Sequence, residues 1–142
     1  MKKFKFELED ILSLRKFEQE QTQIELGKAV AEEQAIQDKL NMIAMQHSDI
    51  VKNTSGSVDF SVIANRQNYI SFLNKQRDYL LEELARAKLI TEAKREIFQK
   101  ALQKTRALSK LKDKQFELYK VQEGIEEDNL VDDIVTANAS RQ

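Results

Sequence analysis

The sequence predicts an all-α protein, a long antiparallel two-helix coiled-coil hairpin with a frayed acidic C-terminal tail, and three observations carry that prediction. The 142 residues contain no proline and only three glycines, so little punctuates a helix. Charged residues make up 33% and hydrophobic ones 41%, a balance that supports a narrow apolar seam between wet helices rather than a thick core. Apolar residues recur at spacings of three and four on both sides of one short polar break.

Helix 1 is predicted over about residues 5–51. Leu8, Leu12, Leu26, Ala29, Ile36, Leu40, Ile43 and Ile50 form its seam, interrupted by Arg15, Gln19 and Thr22 and again by Glu33 and His47. The early acids Glu7, Glu9 and Asp10 suit the positive end of a helix dipole. The break follows at 52–59, KNTSGSVD, rich in residues that tolerate turns and left-handed backbone. Asp59 is the expected N-cap of helix 2, with Val58 and Ile63 at the spacing of a hydrophobic staple.

Helix 2 is predicted from 60 to about 122 through Ile63, Ile70, Leu73, Leu80, Leu84, Ala87, Phe98, Ala101 and Leu108. A second phase through Ile97, Leu111, Leu118 and Ile125 is expected to widen the late seam. Gly124 and the acidic run after it read as the start of a mobile tail, 123–142. Two long helices joined by a short turn are antiparallel neighbours, so the whole chain is one hairpin with both ends far from the turn.

The formal net charge of −1 hides a polarised layout. Between Arg86 and Lys120 eleven basic residues face four acids, and beyond Lys120 six acids face Arg141 alone. The basic residues are spread around the helix with few aromatics among them, which argues against a nucleic-acid partner. No apolar run is long enough for a signal peptide or a membrane span, so the chain is expected to be soluble.

Nothing in the sequence has the pattern of an active site, and no cofactor is expected. Three scattered glycines cannot form a phosphate-binding loop. Without cysteine, and with His47 as the only histidine, no metal-ligand set is legible, and His47 reads as a partly buried seam residue. The carboxylates sit among lysines and arginines at helical spacing, as solvated charge pairs do.

The anomaly lies near the turn. With Ile36, Leu40, Ile43 and Ile50 facing helix 2, Met42 and Met45 fall on another face, and Tyr69, Phe72, Gln76 and Tyr79 run along a non-seam face of helix 2. Apolar and aromatic residues with no place in a two-stranded seam point to a partner surface. Self-association there and a locally broad seam are the competing readings.

The N-terminal pattern Met1, Lys2, Phe4, Phe6, Leu8, Ile11, Leu12, Leu14, Arg15, Lys16, together with Asn68, Tyr69 and Phe72 opening helix 2, resembles the FliJ family of flagellar protein-export components. That resemblance implies a non-enzymatic stalk of the flagellar type III protein export apparatus. It implies three partners: the hexameric export ATPase, the cytoplasmic domain of the membrane export gate, and export chaperones that the stalk escorts. It implies a cytoplasmic protein, peripheral at the inner face of the cell membrane at the flagellar base. The residues matching the gate contact are Met42, Met45, Tyr69 and Phe72, followed by Gln76 and Tyr79. Phe4, Phe6 and Leu8 are the expected contacts at the ATPase-ring end, packing there on late helix 2 around Leu108, Leu111 and Leu118. The stalk of a virulence type III secretion system, a holdase chaperone and a plain structural coiled coil are the alternatives.

Overall fold

The computed structural model describes residues 2–141 and consists of two helices, α1 (Glu9–Asn53) and α2 (Phe60–Ser140), an all-α helical hairpin. The chain divides into two compact units. One joins residues 1–20 to 99–142, and the other comprises residues 21–98.

In the second unit the core is made by Ala29, Ile43, Leu73, Leu84, Ala87 and Thr91. Leu73 is only 1% exposed, and Leu26, Ile36, Leu40, Ile50, Ile70 and Leu80 lie half-buried beside this row. These are the seam positions of the three-four pattern, and apolar burial along them is the main stabilising term of the unit. Thr91 is buried, and its hydroxyl donates to the Ala87 carbonyl one turn back at 3.0 Å. His47, expected to be partly buried in the seam, is instead exposed, rotated onto the rim beside Ala44, Asn74 and Arg77.

The turn closes this unit. The Thr54 amide and hydroxyl both bond the Ile50 carbonyl, ending α1 with a side-chain lock. Gly56 has φ of 79°, a left-handed conformation that only glycine adopts without cost. Asp59 caps α2, its carboxylate accepting from the Ser61 amide at 3.0 Å. The expected staple does not form, because Val58 is 94% exposed and Ile63 also faces solvent.

In the first unit the chain does not begin as a helix. Residues 2–6 form a non-helical arm, and α1 starts at Glu9 rather than near 5, with the Glu9 amide donating to the Phe6 carbonyl at 3.2 Å. Glu9 and Asp10 occupy the first turn, where the helix dipole favours them. The core consists of Phe6, Leu12, Ala101 and Thr105, with Leu12 1% exposed. Thr105 repeats the Thr91 arrangement, donating to the Ala101 carbonyl at 3.1 Å.

Two expectations for α2 are corrected in this unit. The helix does not end near Gln122 but continues through Gly124 to Ser140. One glycine in a helix interior costs only about 1 kcal/mol, and no proline follows to stop the ladder. Residues 125–141 are exposed throughout, with Lys3 of the arm sharing an open recess with Glu126, Glu127 and Leu130. The second phase also fails to widen the seam, since Leu111, Leu118 and Ile125 are all exposed.

Candidate partner-binding surfaces

The unit that carries the turn brings most of the predicted turn-proximal residues to one face. Met42, Gln76 and Tyr79 line a groove of ≈ 370 Å³ together with Lys39, Ile43, Gln46 and Leu80. Tyr69 lines an adjoining depression of ≈ 400 Å³ with Gln46, Asp49, Ile50 and Asn53. Gln46 lines both recesses. Met42, Phe72 and Tyr79 are 62%, 54% and 60% exposed, and Tyr69 is at the edge of exposure.

The geometry follows from the helical repeat. Lys39, Met42, Gln46 and Asp49 form one stripe of α1, and Tyr69, Phe72, Gln76 and Tyr79 one stripe of α2. Met45 and Phe72 line neither recess, although both are exposed. Lys39 and Gln46 are lining residues that the search for apolar anomalies passed over. Their positions three and four residues either side of Met42 are the signal that identifies them. The surface is amphipathic, with thioether and aromatic groups edged by one lysine, one aspartate and amide side chains. Such a surface suits a partner with an apolar anchor inside a polar rim.

In the other unit the predicted ring-end residues have a different fate. Phe6 is 4% exposed and belongs to the core, so its side chain is not presented outward. Phe4 and Leu8 are half-buried. The Phe4 ring packs edge-on against Phe116 at 5.2 Å and tilted against Tyr119 at 5.5 Å. Tyr119 donates its hydroxyl to the Lys2 carbonyl at 2.6 Å, closing the arm onto α2. Leu118, an expected neighbour of the arm, is 67% exposed and points elsewhere, because Phe116 and Tyr119 take the arm-facing side of the helix.

Charge reinforces the same closure. Lys112 bonds Glu9 at 2.8 Å, and Lys120 lies over the Phe116 ring at 4.9 Å. Desolvation against the arm, together with the carboxylates of Glu123 and Glu126, raises the Tyr119 phenol above its ordinary pKa.

Among the described residues no group of histidine, cysteine, aspartate and glutamate side chains could hold a metal ion. No helix among them is long and apolar enough to cross a membrane. The model of the family described as "Flagellar FliJ protein" matches residues 4–142. No curated protein and no solved structure matches the chain. A match that runs from the aromatic arm through the turn and along all of α2 covers both surfaces just described. The chain belongs to the FliJ family, a component of the flagellar export apparatus.

Proposed function

We propose that this chain is a non-enzymatic stalk of the flagellar export apparatus, engaging the export ATPase ring, promoting its activity, coupling it to the export gate and escorting export chaperones. The observation that carries the reading is the face of Met42, Tyr69, Phe72 and Tyr79, exposed on a hairpin whose seam is already filled. Large apolar side chains displayed beside a satisfied seam belong to a binding surface, and in this reading that surface meets the cytoplasmic domain of the gate.

The ring contact lies in the unit that holds both chain ends. Phe4 and Leu8 are its available apolar groups, and the lysines and arginines of α2 supply numerous weak polar contacts, which suit a rod that shifts within a sleeve. Phe6 holds the arm in place beneath them. The protein sits at the inner face of the cell membrane through its partners.

The test pairs two assays: ATP hydrolysis by the cognate export ATPase with and without this protein, and capture of the gate domain by the wild type and by a Met45→Ala, Tyr69→Ala, Phe72→Ala variant. The expected result is stimulated hydrolysis by both proteins and gate capture by the wild type alone. Absence of both stimulation and capture would overturn the stalk reading. Stimulation of a virulence-type secretion ATPase in preference to the flagellar one would move the chain to that branch.

A further inference from the structure

The uncovered phase of α2 is a seam in its own right. Within the unit that holds both chain ends, Lys100, Lys104, Ala107, Leu111, Lys114, Leu118, Val121, Ile125, Asp128 and Asp132 follow one another at alternating spacings of four and three. That is the a/d pattern of a coiled coil. All ten are exposed, with Leu118 67% and Val121 60% accessible. Phe116 and Tyr119, which receive the arm, lie on the opposite side of the helix, so the arm leaves this stripe bare.

The stripe has an internal symmetry of charge and size. When it is laid against itself in the antiparallel sense, the register that sets Lys100 opposite Asp132 also sets Lys104 opposite Asp128. The same register sets Ala107 opposite Ile125 and Leu111 opposite Val121. Lys114 then falls opposite Leu118 beside the two-fold axis, where its apolar stem is suited to pack. None of Lys100, Lys104, Asp128 and Asp132 takes part in an ion pair among the described residues.

We infer that α2 pairs with α2 of a second copy of this chain, antiparallel along this stripe, in an isologous dimer whose register is fixed by the Lys100–Asp132 and Lys104–Asp128 pairs. The self-complementarity is what a two-fold interface requires, since each half must be the partner of the other. Apolar residues occupy the middle of the stripe and opposite charges its two ends. A slip by one heptad would set Lys100 and Lys104 against Ile125 and Val121 in one direction, or Asp132 and Asp128 against Ala107 and Leu111 in the other. The exposed stripe face of the acidic end of α2 thereby gains an occupant. The inference does not rest on the stalk reading: the dimer covers Lys100, Lys104 and Lys114 of α2, so pairing and the proposed ring contact alternate on that face, and the test involves neither the ATPase nor the gate.

The test is sedimentation of the full chain over a concentration series from low to high micromolar. A monomer–dimer equilibrium is expected, weakened by salt. Asp128→Lys with Asp132→Lys, and separately Lys100→Asp with Lys104→Asp, are each expected to weaken self-association by about tenfold or more, because like charges then face each other. An equimolar mixture of the two variants is expected to recover it as a heterodimer. Register is read independently by mixing Ala107→Cys and Ile125→Cys chains. The natural chain has no cysteine, so a disulfide between the two variants reports that pair alone. A chain that stays monomeric throughout would overturn the inference. So would a dimer that both charge variants leave unchanged, or a mixture that fails to recover association.

Discussion

Phe4, Phe116 and Tyr119 in one unit and Tyr69, Phe72 and Tyr79 in the other are similar side chains in opposite circumstances. The first three pack on one another, and the tyrosine is hydrogen-bonded to the backbone of the arm. The second three stand off the seam, with Phe72 and Tyr79 more than half exposed. A short stretch of non-helical chain accounts for the difference. Where residues 2–6 fold back, aromatic surface on α2 is consumed internally. Where the chain closes through a tight turn, nothing folds back, and aromatic surface remains for a partner.

The largest expected effects test whether the two units share one seam logic despite this contrast. Leu12→Ala and Leu73→Ala each remove a side chain that is 1% exposed, and each is expected to cost roughly 2–5 kcal/mol. Amide exchange should show the loss centred on the substituted unit in each case. A loss spread evenly over both units for either variant would break the division between them.

The aromatic contrast itself is read by a pair of alanine variants. Phe4→Ala is expected to destabilise by about 1–2 kcal/mol, since it removes two ring contacts and loosens the arm. Phe72→Ala is expected to stay within about 0.5 kcal/mol in chemical denaturation while weakening gate capture. Equal costs would mean that Phe72 is part of the fold and not of a binding surface.

Glycines sharpen the comparison within the turn-bearing unit. Gly56→Ala is expected to destabilise by about 1 kcal/mol because of its positive φ. Gly27→Ala, in mid-α1 with no atom near the added methyl, is expected to raise stability by about 0.5–1 kcal/mol. Thermal midpoints of the two variants should therefore move in opposite directions.

The smallest effect concerns the arm at high pH. The folded Tyr119 phenol ionises above its ordinary value of 10.0, while the unfolded one ionises at it. The contribution of this group is therefore fully present below pH 10 and lost as pH rises through the raised folded value. Resonances of residues 2–6 should report loosening of the arm only in alkaline solution. Tyr119→Phe should show a looser arm already at neutral pH, and an arm that is equally tight in both proteins would remove the hydrogen bond from the account.

Most of the hairpin was legible because burial follows the three-four spacing closely. Leu12, Ala29, Ile43, Leu73, Leu84, Ala87 and Ala101 are all predicted seam residues and all buried. The exposed face was legible for the complementary reason, since Met42 and Tyr79 break the pattern. The N-terminal arm was not, because Phe4, Phe6 and Leu8 fit a helical or an extended backbone equally well. Only the tertiary contacts with Phe116 and Tyr119 decide between them. Gly124 misled in the opposite way, as a glycine marks a helix end only when the chain after it has somewhere else to go. His47 was misplaced by a fraction of a turn, which periodicity over a short window does not resolve.

Thr91 and Thr105, each closed onto the carbonyl one turn back, leave a consequence for mechanics. A buried hydroxyl bonded across to the facing helix would hold the pair at one axial setting. A hydroxyl satisfied within its own helix presents only a methyl group, and beside Ala87 in one unit and Ala101 in the other it makes a low-relief layer. Such layers act as bearing surfaces. In the unit that holds both chain ends, the helices are tied instead by Glu9–Lys112 and Lys2–Tyr119. Within each unit such a layer tolerates small axial shear, a compliance that a seam laced with interhelical hydrogen bonds would forbid.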